Sequence, residues 1–201
     1  MLIDGIKSRP QYPGLKADSY AKQHVFAADG DGAQAIIDLF SRQGGEINGS
    51  AIIVYAETDL GGADHVSRLG LLPTQMVHRL PTIATAMTRL SGVLQTSRMG
   101  TRIYAAGSET LIGLTVQLAQ QFGMDPATVI SEHRGTRARR VQCVHCKGMT
   151  ENVTTNIVKC DHCGLNLLVR DHYSKRQAAF QGVCVDAEVP GDVPVVDEVF
   201  K

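Results

Sequence analysis

Two cysteine pairs, Cys143-Val-His-Cys146 and Cys160-Asp-His-Cys163-Gly164, stand thirteen residues apart late in the chain, and their spacing constrains the fold more than any other feature. Two intervening residues let both sulfurs of a pair face one cation while backbone N–H groups point at the thiolates. The thirteen-residue link is long enough for a hairpin that brings the two knuckles together. Four soft ligands saturate a tetrahedral ion and leave no position for water, so the site reads as structural or electron-carrying and not hydrolytic. Such a cage accepts zinc or iron. Zinc is preferred, because a rubredoxin-like iron site usually has a longer segment between knuckles and an aromatic core. Here the hairpin is short and carries Thr150, Asn152, Thr154 and Asn156. His145 and His162 read as solvent-facing turn residues, and Cys184 as a half-buried residue of a later strand.

The 201-residue chain, 43 % apolar, has room for one good core and a small appended module. Its 20 basic residues equal its 20 acidic ones, so no long-range field draws it to nucleic acid or to an anionic membrane surface. Met1 to Pro10 holds no apolar leader-like run, and no run is long enough to span a bilayer. A cytoplasmic protein is the expectation. Four of the five cysteines are paired at knuckle spacing, which favours metal binding over a disulfide framework.

Residues 1–22 mix prolines, glycines and charges without a period and read as an extended arm. From Gln23 to about residue 136, strand-length β-branched runs alternate with amphipathic ones. The runs HVFAAD (24–29), AIIVYAE (51–57), TQMVHR (74–79), RIYAAG (102–107) and ATVISEHR (127–134) predict five strands. Segments 33–43, 84–95 and 109–123 repeat apolar residues at helical spacing, as in Ile112, Val116, Ala119 and Phe122. Alternation of this kind predicts an α/β fold, a Rossmann-like parallel sheet with helices on both faces. After it come a four-cysteine zinc ribbon over 137–175 and a tail over 176–201. The basic run Arg134, Arg137, Arg139 and Arg140 at the boundary reads as a patch for docking a partner's acidic face.

Ligands of open parallel sheets bind at the carboxyl ends of the strands, which singles out three loops. Asp29-Gly30-Asp31-Gly32 follows the first strand and reads first as a tight turn; the alternative is that the N–H groups of Gly30 and Gly32 meet a phosphate, although Asp29 and Asp31 would repel one. Gly107-Ser108-Glu109 opens the longest helix, with Ser108 and Glu109 placed as caps. Glu57-Thr58-Asp59 reads by default as a solvated acidic loop, with a ribose hydroxyl as the alternative. Gly30, Gly32, Gly107, Ser108 and Glu109 are therefore the candidate cofactor-binding residues, and Cys143, Cys146, Cys160 and Cys163 the candidate metal ligands. No catalytic constellation is visible: there is no nucleophile elbow, no phosphate loop with lysine and no HExxH, and His65, His78, His133 and His172 are scattered.

HVFAADGDGAQAIIDLF and RIYAAGSETLIGLTVQLAQQFGMDPATVISEHRG resemble the two ends of the nicotinamide-binding half of ferredoxin-reductase and siderophore-interacting flavoproteins. With the ribbon and the following DHYSKR and FQGV, the whole chain resembles the DmmA-like family, the small subunit of bacterial dimethylamine monooxygenase. That resemblance implies a multi-subunit enzyme that oxidatively N-demethylates dimethylamine with NAD(P)H and dioxygen. It places haem, flavin or iron–sulfur chemistry on companion subunits and gives this chain a non-catalytic or electron-relay role. Two other classes compete: a free-standing nicotinamide or flavin oxidoreductase using the strand-end loops, and a zinc-ribbon regulator binding nucleic acid through Arg134 to Arg140.

Overall fold

The structure, a computed structural model, describes residues 8–58 and 64–201. It divides into two compact units, Tyr12–Gly135 and a second made of Thr136–Lys201 together with residues 8–11.

The first unit is the expected α/β sheet. Its strands are β1 (Gln23–Asp29), β2 (Ser50–Ala56), β3 (Met76–Leu80), β4 (Thr101–Gly107) and β5 (Ile130–His133), all parallel in the order β3-β2-β1-β4-β5. Helices α1 (Gly32–Arg42), α2 (His65–Gly70), α3 (Ile83–Gln95) and α4 (Glu109–Gln121) supply the crossovers. The central strands are apolar on both faces, because each face has helices to meet. Phe26, Ile53, Tyr55 and Tyr104 pack with Ile36, Leu39 and Phe40 of α1, and Leu69 of α2 joins the same core. Val25, Ala27, Val54, Ile103 and Ala105, the alternate positions, pack with Leu90 of α3 and Ile112 of α4. Helix α2 escapes a periodicity reading because six residues are too few to show one; the Asp64 carboxylate caps it through the Ser67 N–H.

Residues 12–22 of the expected arm lie along this unit. The Gly14 N–H donates to Ser131 O, the Leu15 N–H to the Glu132 carboxylate, and Leu15 is buried in the α1 core. Residues 8–11 belong to the other unit, where Ser8 bridges His172 and Arg9 pairs with Asp171.

The second unit is a five-stranded sheet in the order β7-β6-β10-β9-β8, from β6 (Arg139–Cys143), β7 (Met149–Val153), β8 (Ile157–Lys159), β9 (Asn166–Ser174) and β10 (Ala179–Cys184). Only the β6–β10 pair is parallel. Val141, Cys143, Cys160, Leu167, Val169 and Phe180 form its core. The expected ribbon–tail division falls in the turn of the β9–β10 hairpin. No helix among the described residues is long and apolar enough to cross a membrane.

Candidate metal centre

The two knuckles are built alike. Cys143 ends β6 and Cys160 follows β8, and each pairs its backbone with the residue five positions on. The Cys143 N–H donates to Gly148 O and the Cys160 N–H to Leu165 O, both at 2.9 Å. Each cysteine carbonyl in turn accepts an N–H from four residues on, Lys147 and Gly164, both at 3.0 Å. These two residues occupy the same place in their turns, at φ 64° and 75°. Only the second position is a glycine, so Lys147 holds the left-handed conformation at some cost.

The turns bring the four sulfurs together across chain separations of up to 20 residues. Cys143 Sγ lies 3.8 Å from Cys163 Sγ, and Cys146 Sγ 3.7 Å from Cys160 Sγ. All four lie within 4.8 Å of one another. A tetrahedral ion with metal–sulfur bonds of about 2.3 Å spaces its ligands about 3.8 Å apart, so the donor set fits one such ion. Cys143 and Cys160 are buried, whereas Cys146 is exposed. The Gly148 N–H points at Cys146 Sγ from 3.4 Å. Burial works to raise the Cys160 thiol, but the N–H groups of Cys163 and His162 and the adjoining thiols outweigh it and bring Cys160 down to about 6. At Cys163 the Leu165 N–H favours the thiolate, yet burial and the other three sulfurs prevail and push it up to about 12. A cation among the sulfurs would remove the conflict that drives Cys160 and Cys163 in opposite directions.

His162 is exposed, as expected of a turn residue, but it also fastens one knuckle to the other. Its Nε2 lies 3.0 Å from Met149 O. Its ring covers Gly148 so closely that a Cβ there would sit 2.4 Å from the ring. Sequence reasoning missed this tie; the glycine just after the first knuckle was the available signal. Cys184 ends β10, partly buried, with its thiol 3.3 Å from the Asp186 carboxylate.

The candidate cofactor loops meet at the carboxyl ends of β1 and β4, where the crossovers diverge. There the buried Asp29 carboxylate accepts the Ser108 N–H at 2.7 Å and the Ser108 hydroxyl at 2.5 Å. Ser108 Oγ accepts the Leu111 N–H, as an N-cap should, and Glu109 accepts the Tyr12 hydroxyl. A Cβ on Gly32 would lie 2.1 Å from Ala106 O, and one on Gly107, at φ 124°, 1.8 Å from Asp29 Oδ1. These two glycines let the two strand–helix junctions approach, and the protein's own carboxylate takes the helix N-terminus that suits an anion. Tyr55 donates to Gly30 O. Glu57 is held by the Arg79 guanidinium at 2.7 and 2.8 Å; Asp59 lies outside the described residues.

Three of the four arginines of the expected basic patch are paired, and Arg137 alone of the four is exposed. Arg134 pairs with Glu132 and Asp38, and Arg140 with Glu151. Arg139 is buried between the rings of Phe180 and Phe200, 3.9 and 3.7 Å from their centroids, and pairs with Asp171. Asp38 and Asp171 are distant in sequence from the arginines they hold, which a run of arginines cannot reveal.

Two family models match the chain. The N-terminal domain of dimethylamine monooxygenase subunit DmmA-like proteins covers residues 4–129, and the corresponding C-terminal domain covers residues 140–183. The heme-dependent oxidative N-demethylase delta subunit of Ectopseudomonas mendocina (strain ymp) is 29% identical over 185 residues, covering 91% of each chain. Among solved structures, the siderophore-interacting protein SipS from Aeromonas hydrophila is 13% identical at a TM-score of 0.39, covering 60% of this chain. An intact type IV self-sufficient cytochrome P450 monooxygenase is 20% identical at a TM-score of 0.40, covering 68%. The chain spans 52% of SipS and 19% of the P450.

Proposed function

We infer, from the premise that this chain belongs to the DmmA-like family of dimethylamine monooxygenase subunits, that it is a structural subunit of a heteromeric oxidative N-demethylase. The reaction is NAD(P)H- and dioxygen-dependent removal of a methyl group from dimethylamine in the cytoplasm. Haem, flavin or iron–sulfur groups reside on companion subunits. In this reading residues 23–136 are a scaffold, 137–175 a zinc-bearing ribbon and 176–201 a segment that meets a companion. Nucleic acid and membrane surfaces have no part in it.

The observation that carries the reading is the closed four-sulfur centre. Cys143, Cys146, Cys160 and Cys163 would hold zinc, and the ion would supply folding energy by fixing the two knuckles, with no coordination position left for substrate or water. The Asp29–Ser108 contact adds support, since a nucleotide phosphate at α4 would have to displace a buried carboxylate. The free-standing oxidoreductase is therefore the weaker reading, and the paired arginines weaken the nucleic-acid one.

Replacing Cys160 by serine tests the assignment. Loss of zinc together with loss of assembly with the companion subunits is the expected result. NAD(P)H oxidation by the wild-type chain alone, in the presence of dioxygen and dimethylamine, would contradict it.

A further inference from the structure

The segment 185–201 follows β10 and carries Asp186, Glu188, Asp192, Asp197 and Glu198 against one lysine, Lys201, which pairs with Glu198 at 2.8 Å. Its backbone is fastened to the ribbon at its two ends. The Asn156 side chain donates to Val195 O and accepts the Asp197 N–H, while Thr154 O accepts the N–H groups of Val199 and Phe200. Asp186 is held by Asn166 Nδ2 and the Gly191 N–H, and the Phe200 ring lies over Arg139.

The valines of this fastened segment face outward. Val189 is 61% exposed, Val195 78%, Val196 55% and Val199 52%. A segment that merely covered the ribbon would turn such residues in, as it does Phe200. Instead its end is fastened through the backbone while its apolar side chains are displayed among carboxylates, the pattern of an interaction patch. Pro190 and Pro194 limit the conformations left to lose on binding.

Building on the subunit role inferred above, we propose that segment 185–201 is the docking element for a companion subunit whose surface offers an apolar groove rimmed by lysine and arginine. Charge complementarity fixes that choice: five carboxylates disfavour nucleic acid, anionic lipid and an acidic protein face alike. The ribbon pre-shapes the segment, the valines fill the groove, and Asp192 and Asp197 meet its basic rim.

The test uses the full-length chain, purified companion subunits and two variants, V195D/V196D and D192K/D197K. Binding is followed by titration at low and high salt, with metal content and thermal unfolding as checks on the fold. The apolar variant should bind at least tenfold more weakly. The charge variant should bind more weakly and lose most of the wild type's salt dependence, with zinc retained in both. Wild-type affinity in both variants overturns the docking proposal and leaves the subunit role standing. A wild-type chain that binds no companion overturns both.

Discussion

The Asp29 carboxylate and Ser108, 79 residues apart, form a two-point contact at the junction of β1 and α4, through the Ser108 N–H at 2.7 Å and its hydroxyl at 2.5 Å. The contact puts the chain's own negative charge at a helix N-terminus. NAD(P)H should therefore leave the thermal stability of the full-length chain unchanged at concentrations that saturate ordinary nicotinamide sites. Asp29→Ala should destabilise the sheet unit by about 1 kcal/mol, because it strands a partly buried N–H and hydroxyl. A cofactor-dependent rise in melting temperature for the wild type would show the junction to be a binding site.

His162 covering Gly148 predicts an unusual sensitivity at a position that holds no ligand. Gly148→Ala must displace the ring and part the knuckles, so metal affinity should fall by about ten- to a hundredfold, the range for residues that support metal ligands. His162→Ala, which opens space in place of a clash, should cost less. Competition with a chromogenic chelator measures both, and equal affinities for wild type and Gly148→Ala would refute the tie.

His24 gives the sheet unit a pH dependence. It is fully buried, with Nε2–H donating to Asn48 O at 2.7 Å and Nδ1 accepting from the Tyr104 hydroxyl at 2.9 Å. Burial lowers its pKa below 6.5, although Asn48 and Asp18 work the other way. The unfolded chain then binds the proton more readily, so stability is complete above about 6.5 and declines as pH falls from there toward the lower folded value. Melting temperatures at about pH 7.5 and 5.5 should diverge more for the wild type than for His24→Gln; equal slopes would assign the loss elsewhere.

What the sequence disclosed follows the range of the interactions involved. The cysteine spacing and the β-branched runs are local signals, and they located the sulfur cluster and the five parallel strands. Helix α2 is too short to display a period. Strands β6 to β10 owe their order to pairings such as β6 with β10, and to the knuckles at their ends, more than to their own patterning. Ser108, Asp38 and Asp171, the partners of Asp29, Arg134 and Arg139, are distant in sequence, which is why a candidate cofactor loop and a basic patch were read where internal contacts stand.

Elemental analysis with a visible absorption spectrum, on the chain purified without added metal, decides whether the four cysteines hold a structural zinc. One zinc per chain, no thiolate-to-iron bands, and loss of zinc in Cys160→Ser are the expected results. Visible iron bands, or a folded chain that binds no metal, would contradict a structural zinc.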